Sequence, residues 1–199
     1  VEATVTVAER RRAFVNSLYQ LHYDLASPHQ SGAARRQLAL FRRSFSGWQA
    51  EVEAYDFVLR EDPPESEQES WLLVAGLFAL HPHGHTAPRR SLGTAMRLLV
   101  EERPSARRRF TQLLSQDTHG LPHYLRQAIR LLRTEEIALD YETLLTDLIT
   151  LRGPRERAHR VRLGWARDFH RPIPSRRRTG GAASNPSGDT ADEPHEEES

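Results

Sequence analysis

Apolar residues recur along most of the chain at helical spacing. Phe14, Leu18, Leu21 and Leu25 fall at i, i+4, i+7 and i+11, one face of a first helix. SPHQSG (27–32) interrupts it, and a second helix carries Leu38, Phe41 and Phe45. Gly47 permits a bend, after which Trp48, Val52, Tyr55 and Leu59 repeat the same spacing as a third core stripe. EDPPESEQE (61–69) is polar and holds two prolines, which a helix interior does not tolerate. Trp71, Val74, Ala75, Phe78 and Ala79 open another buried face, stopped by Pro82 and Gly84.

The second half continues in the same way. Ser91 is placed to cap a helix with Leu92, Ala95, Met96 and Leu99 inward, and Pro104 ends it. Ser105 is a cap for a helix burying Phe110, Leu113 and Leu114. Pro122 suits a first turn, and Leu121, Leu125, Ile129 and Leu132 form the next stripe. Ile137–Leu139 reads as an extended linker. Asp140 caps a helix carrying Leu144, Leu145, Leu148 and Leu151. Gly153 and Pro154 precede a last helix with Val161, Trp165 and Phe169 inward. β signals are confined to the short VTV at the start. The expectation is an all-α fold of two packed helical bundles of short helices. The N-terminal bundle covers 8–62, a polar linker 63–70, the C-terminal bundle 71–170, and a disordered tail 171–199.

Composition narrows the chemistry. The chain has 199 residues, no cysteine and no lysine, so all 28 basic residues are arginine. Thiol nucleophiles, cysteine metal sites, Schiff bases and a lysine phosphate loop are excluded. No apolar run is long enough to span a membrane, and the start does not read as a secretory signal, so a cytoplasmic protein is expected.

The net charge of +1 is an average over unlike regions. Residues 1–80 carry net −3, residues 81–133 net +7, residues 134–170 net −1 and the tail net −2. Arg126, Arg130 and Arg133 share one helical face at i, i+4 and i+7, with no acidic partner in their own helix. Arg103, Arg107, Arg108 and Arg109 precede them, and Arg89 and Arg90 lie in the loop before that. A second group is Arg35, Arg36, Arg42 and Arg43. Phosphate suits the arginine fork, and neutralising it releases counterions. The plainer readings are a solvated face, or salt bridges to Glu135, Glu136 and the acidic first half. Base-sequence specificity is not expected, because backbone contacts carry no code.

Other chemistry has less support. His81, His83 and His85 alternate in HPHGHTAPRR, with His119 and His123 further on. No H-E-x-x-H helix or carboxylate cluster completes a metal site, so the segment reads as a helix-ending loop. No G-x-S-x-G elbow or glycine-rich nucleotide loop is present, and no catalytic residue, cofactor or metal is expected. Asp147 is placed to pair with Arg152 or a neighbouring arginine. The three tryptophans and Phe169 fall on core periodicity, so packing is favoured over base stacking.

Four segments carry a family resemblance: GAARRQLALFRRSF (32–45), WLLVAGLFALHPHGHTAPRRSLGTAMRLL (71–99), RRFTQLLSQDTHGLPHYLRQAIRLLRTEEIALDYETLLTDLITL (108–151) and VRLGWARDFH (161–170). In order and spacing they resemble the small subunit, CasB, of the type I-E CRISPR surveillance complex Cascade. That resemblance implies a helical two-bundle protein without enzyme activity, present as two copies. It implies contact with the other Cascade subunits, with CRISPR RNA and with both target and non-target DNA strands, stabilising the R-loop. Arg42 and Arg43 match the family's arginine pair, although Phe41 stands where leucine is commoner. Arg108, Arg109 and Phe110 match its arginine–arginine–phenylalanine segment, and Arg126 matches an L-R segment. Arg130 and Arg133 rest on the helical-face argument alone. The alternatives are a protein scaffold whose arginines bridge acidic partners and a metal-dependent nuclease. The nuclease requires acidic ligands that the sequence does not supply.

Overall fold

The computed structural model describes residues 5–171. Nine α-helices account for most of them: α1 (Val7–Asp24), α2 (Ser31–Arg43), α3 (Trp48–Leu59), α4 (Gln68–Leu80), α5 (Leu92–Glu102), α6 (Ala106–Leu114), α7 (Leu121–Thr134), α8 (Tyr141–Leu151) and α9 (Arg155–His170). Short 3-10 turns occupy Ser44–Ser46 and Glu65–Glu67. No strand occurs among the described residues, so the all-helical expectation is met. No described helix is long and apolar enough to cross a membrane.

Helix α4 is the axis of the molecule. From Trp71 to Leu80 every side chain except the half-buried Leu73 is buried. A helix apolar on all sides must be enclosed by others, and α4 is packed by α2, α3, α7 and α8. One core cluster runs through it, from Phe14 and Leu18 of α1 to Trp165 and Phe169 of α9. The two helix groups therefore share α4. Residues 63–70, expected as a polar linker, instead hold the 3-10 turn and the first residues of α4. Buried Glu67 anchors this stretch. It accepts from Arg11 Nε of α1 at 2.9 Å and from Trp71 Nε1 at 3.2 Å. Paired and hydrogen-bonded in this way, a buried charge becomes tolerable.

Local signals act where they are satisfied. Thr6 and Glu9 form a reciprocal capping box at α1. Ser91 caps α5 and Asp140 caps α8 through backbone N–H groups. Ser105 makes no side-chain cap, contrary to expectation. Helices α5 and α9 make the broadest helix pair. A Cβ on Gly93 would run into the Trp165 carbonyl oxygen, so only glycine admits this approach.

The main departure is at α3. Three residues of its expected core stripe face outward, Trp48 at 73% exposed, Val52 at 59% and Leu59 at 48%, while Tyr55 is half-buried against the core. The helix buries Ala54 and Val58 instead, with Phe57 packed against the core. The expected tail from 172 onward lies outside the described residues.

Candidate nucleic-acid interface

The arginines that converge do so around the C-terminal half of α4. Arg42 and Arg43 sit in the last turn of α2. Cations there oppose the negative end of the helix dipole. The chain then tightens into the turn Ser44–Ser46, which sets half-buried Phe45 over α4. A Cβ on Gly76 would strike the Phe45 ring, so this glycine makes room for it. On the other side of the ring lies α7, with the Arg126 guanidinium carbon 4.8 Å from the Phe45 centroid. Such cation–π contact fixes the side chain without neutralising it.

Two more arginines meet at the end of α4. Arg42 Nη1 donates to the Ala79 carbonyl and Arg133 Nη1 to the Leu80 carbonyl, each at 3.4 Å. These carbonyls belong to the last turn of a helix, where intrahelical partners run out. Arg130 lies on the same face of α7, one turn from Arg126 and about one turn from Arg133, and is exposed. Among the described residues, Arg42, Arg43, Arg126, Arg130 and Arg133 make no salt bridge. An open groove of about 740 Å³ between α2 and α3 extends the charged surface, lined by Arg36, Arg42 and Arg43 with Glu53 opposite.

The other expected arginines lie elsewhere. Arg107, Arg108 and Arg109 are exposed at the start of α6, which packs on α5 and α7. Arg107 lies 5.3 Å over the Phe169 ring of α9. Arg89 faces Glu142 of α8 at 3.6 Å, and Arg12 reaches the same carboxylate at 3.3 Å. Arg90 accepts the Asp140 N–H on its carbonyl at 2.8 Å, tying the loop to α8. Arg103 pairs with Glu135. The structure thus joins the α2 and α7 arginines into one surface and leaves the loop and α6 groups on their own elements. Phe45 and Gly76, which hold the two sides together, carried no functional signal in the sequence. A phenylalanine followed by a bend was the only trace.

The histidine loop is structural. His81 is buried and its Nε2 lies 2.9 Å from the Ile137 carbonyl. His83 Nε2 accepts the Leu139 N–H at 3.2 Å, so its other nitrogen donates to the Gly84 carbonyl at 3.2 Å. Its ring stacks on Tyr141. His85 Nδ1 meets Tyr23 Oη at 2.8 Å. Burial pushes the pKa of both His81 and His83 below the ordinary value, keeping them neutral. These contacts pin the extended segment 137–139 against the end of α4. Among the described residues no three His, Asp or Glu groups are placed to hold a metal.

Asp147 takes a hydrogen bond from Trp165 Nε1 at 2.6 Å, while Arg152 pairs with Glu69. That corrects the expected arginine partner for Asp147. Burial, reinforced by the Asp168 and Asp140 carboxylates, raises its pKa to about 6. Among the described residues no hydroxyl nucleophile or general base is hydrogen-bonded to it; its contact with Trp165 holds α8 to α9.

Comparison with known proteins matches residues 37–170 to the family model described as CRISPR-associated protein Cse2. A CRISPR-associated protein Cse2 from Thermus thermophilus is 30% identical over 157 residues, covering 79% of this chain and 88% of the relative. The crystal structure of CasB from Thermobifida fusca superposes with a TM-score of 0.59 at 29% identity, covering 83% of this chain and 96% of that one. A chain of a CRISPR RNA-guided surveillance complex superposes at 0.63 with 20% identity, covering 82% and 92%, which is a likeness of fold.

Proposed function

Because the chain belongs to the CRISPR-associated Cse2 family, we propose that it is a non-catalytic subunit of an RNA-guided CRISPR surveillance complex of type I-E, gripping nucleic-acid backbones with arginine. The observation that carries the reading is the meeting of Arg42 and Arg43 with Arg126, Arg130 and Arg133 across α4, none of them in a salt bridge among the described residues. Like charges gathered from two helices repel, and a phosphate backbone relieves that repulsion. Cation–π and carbonyl contacts hold Arg126, Arg42 and Arg133 in place while leaving donors free for phosphate.

In such a complex base pairing reads sequence and protein reads backbone. The arginine surface suits CRISPR RNA or target DNA and, in the open R-loop, the displaced strand. The exposed α6 arginines Arg107, Arg108 and Arg109 and the loop pair Arg89 and Arg90 extend the contact as outlying grips. The other subunits and a second copy of the chain are its protein partners in this reading.

The test is reconstitution of the complex with Arg126, Arg130 and Arg133 all changed to alanine. Target-DNA affinity should fall at least about tenfold at moderate salt, and the log–log salt slope should flatten by about 0.9 per lost phosphate contact. Unchanged affinity and slope would overturn the assignment. Crosslinks from these arginines to acidic protein surfaces, with none to nucleic acid, would favour the scaffold reading instead.

A further inference from the structure

A second surface, on the outward face of α3, has the opposite character. Trp48, Val52, Tyr55 and Leu59 fall at i, i+4, i+7 and i+11, a continuous apolar ridge about 18 Å long at 1.5 Å per residue. Three of the six large apolar side chains exposed among the described residues belong to this helix. Val52, Tyr55 and Leu59 line a shallow groove that continues to Gln68 at the start of α4. An apolar patch concentrated in this way marks an interaction site.

Its frame is acidic. Residues 48–69 hold eight acidic groups against the single Arg60. On α3, Glu51 flanks the ridge on one side and Asp56 on the other, while Glu53 faces the groove of Arg36, Arg42 and Arg43. Four of the eight are spent inside the molecule: Asp56 on Arg60, Asp62 on Arg10, Glu67 on Arg11 and Glu69 on Arg152. Glu51, Glu53 and Glu65 make no ion pair among the described residues. This charge repels nucleic acid and anionic lipid alike. A protein element with its own apolar stripe and arginine or lysine on both flanks satisfies ridge and frame together. A straight ridge at helical spacing is matched by a helix laid along it.

We propose that this face of α3 is a protein-docking site whose occupant is a basic amphipathic helix of a partner protein. The inference does not depend on the arginine surface or on its ligand. Trp48 supplies the readout, since Trp71 and Trp165 are 0% and 2% exposed. The probe is a synthetic helical peptide of about 18 residues with leucines along one stripe and arginines on both flanks. A twin carries glutamate in place of arginine. Titrated into the full-length chain, the arginine peptide should saturate a blue shift of Trp48 emission, while the twin leaves it unchanged. Glu51→Gln/Asp56→Asn should weaken binding at least about tenfold. Val52→Asp/Leu59→Asp should abolish binding although it adds negative charge, which separates docking from mere electrostatic adhesion. Absence of saturable binding would overturn the proposal, as would equal binding of the two peptides or tighter binding by Val52→Asp/Leu59→Asp. Self-association of the chain that Val52→Asp removes would also overturn it, assigning the face to a second copy.

Discussion

The α7 stripe Leu125–Ile129–Leu132 and the α3 stripe Trp48–Val52–Tyr55–Leu59 have the same periodicity and opposite fates. The first is buried against α4, and the arginines beside it are carried outward into a charged surface. The second leaves Trp48, Val52 and Leu59 in solvent between Glu51 and Asp56, with Tyr55 half-buried against the core. Periodicity establishes that a helix has an apolar side; which side faces inward is decided by its neighbours. Helix α3 has two apolar arcs, Trp48–Val52–Tyr55–Leu59 and Ala50–Ala54–Phe57–Val58. The core takes the second, whose alanines allow close approach to α2 and α4. The bulkier arc is left for a partner.

The largest expected effect separates two aromatic residues three positions apart. Phe45 is wedged between Gly76 and Arg126, whereas Trp48 stands free. Phe45→Ala should lower unfolding free energy by about 1–3 kcal/mol, less than for a fully buried phenylalanine because the ring is half-exposed. It should also loosen Arg126. Trp48→Ala should change stability by no more than about 0.5 kcal/mol, as for other exposed positions. Urea unfolding of the two variants checks both values. Equal losses would mean that α3 packs differently and that the two surfaces are not distinct.

Much of this contrast was hidden in the sequence for physical reasons. Helices, caps at Ser91 and Asp140, and the charge block 81–133 are local properties, readable from neighbours in the chain. The resemblance to CasB added an arrangement that local pattern does not contain. The meeting of Arg42 with Arg133 depends on α4 lying between their helices, a relation across more than 90 positions. The acidic counterpart at 48–69 was split between a presumed core helix and a presumed linker. Glu67 illustrates the point: the fold converts a residue of a polar run into the buried partner of Arg11 and Trp71.

Acid should act on the first surface and spare the second. His81 and His83 brace the end of α4, where Arg42 and Arg133 attach; Arg133 and His22 nearby oppose their protonation and Glu136 favours it. Their folded pKa values lie below the unfolded value of about 6.5. Between the two, the unfolded chain binds more protons, so their contribution is complete above that value and is lost as pH falls through the folded pKa. Asp147 works in the opposite direction. Its folded pKa of about 6 exceeds the unfolded value, so stability is regained as pH falls through 6. Asp147→Asn, which keeps an acceptor for Trp165, removes that compensation. Denaturation midpoints between about pH 8 and 5 should fall more steeply in this variant than in the parent. Trp48 emission under native conditions should stay constant across the same range. A profile in Asp147→Asn that matches the parent's would show that the aspartate is ionised throughout and overturn the prediction.

The smallest effect concerns Arg60, the one cation in the acidic frame, which bonds Asp56 at 2.7 Å one turn back on the helix. Exposed pairs of this spacing contribute about 0.3–0.5 kcal/mol, so Arg60→Ala should barely move the unfolding midpoint. It nevertheless frees the Asp56 carboxylate on the flank of the apolar ridge. Binding of an arginine-flanked helix to α3 should therefore tighten by a few-fold, and the gain should vanish at high salt as screening removes it. DNA affinity of the assembled complex should not change, because Arg60 stands outside the α2–α7 surface. A variant that weakened DNA binding while leaving peptide binding untouched would place Arg60 on the nucleic-acid side and dissolve the division between the two faces.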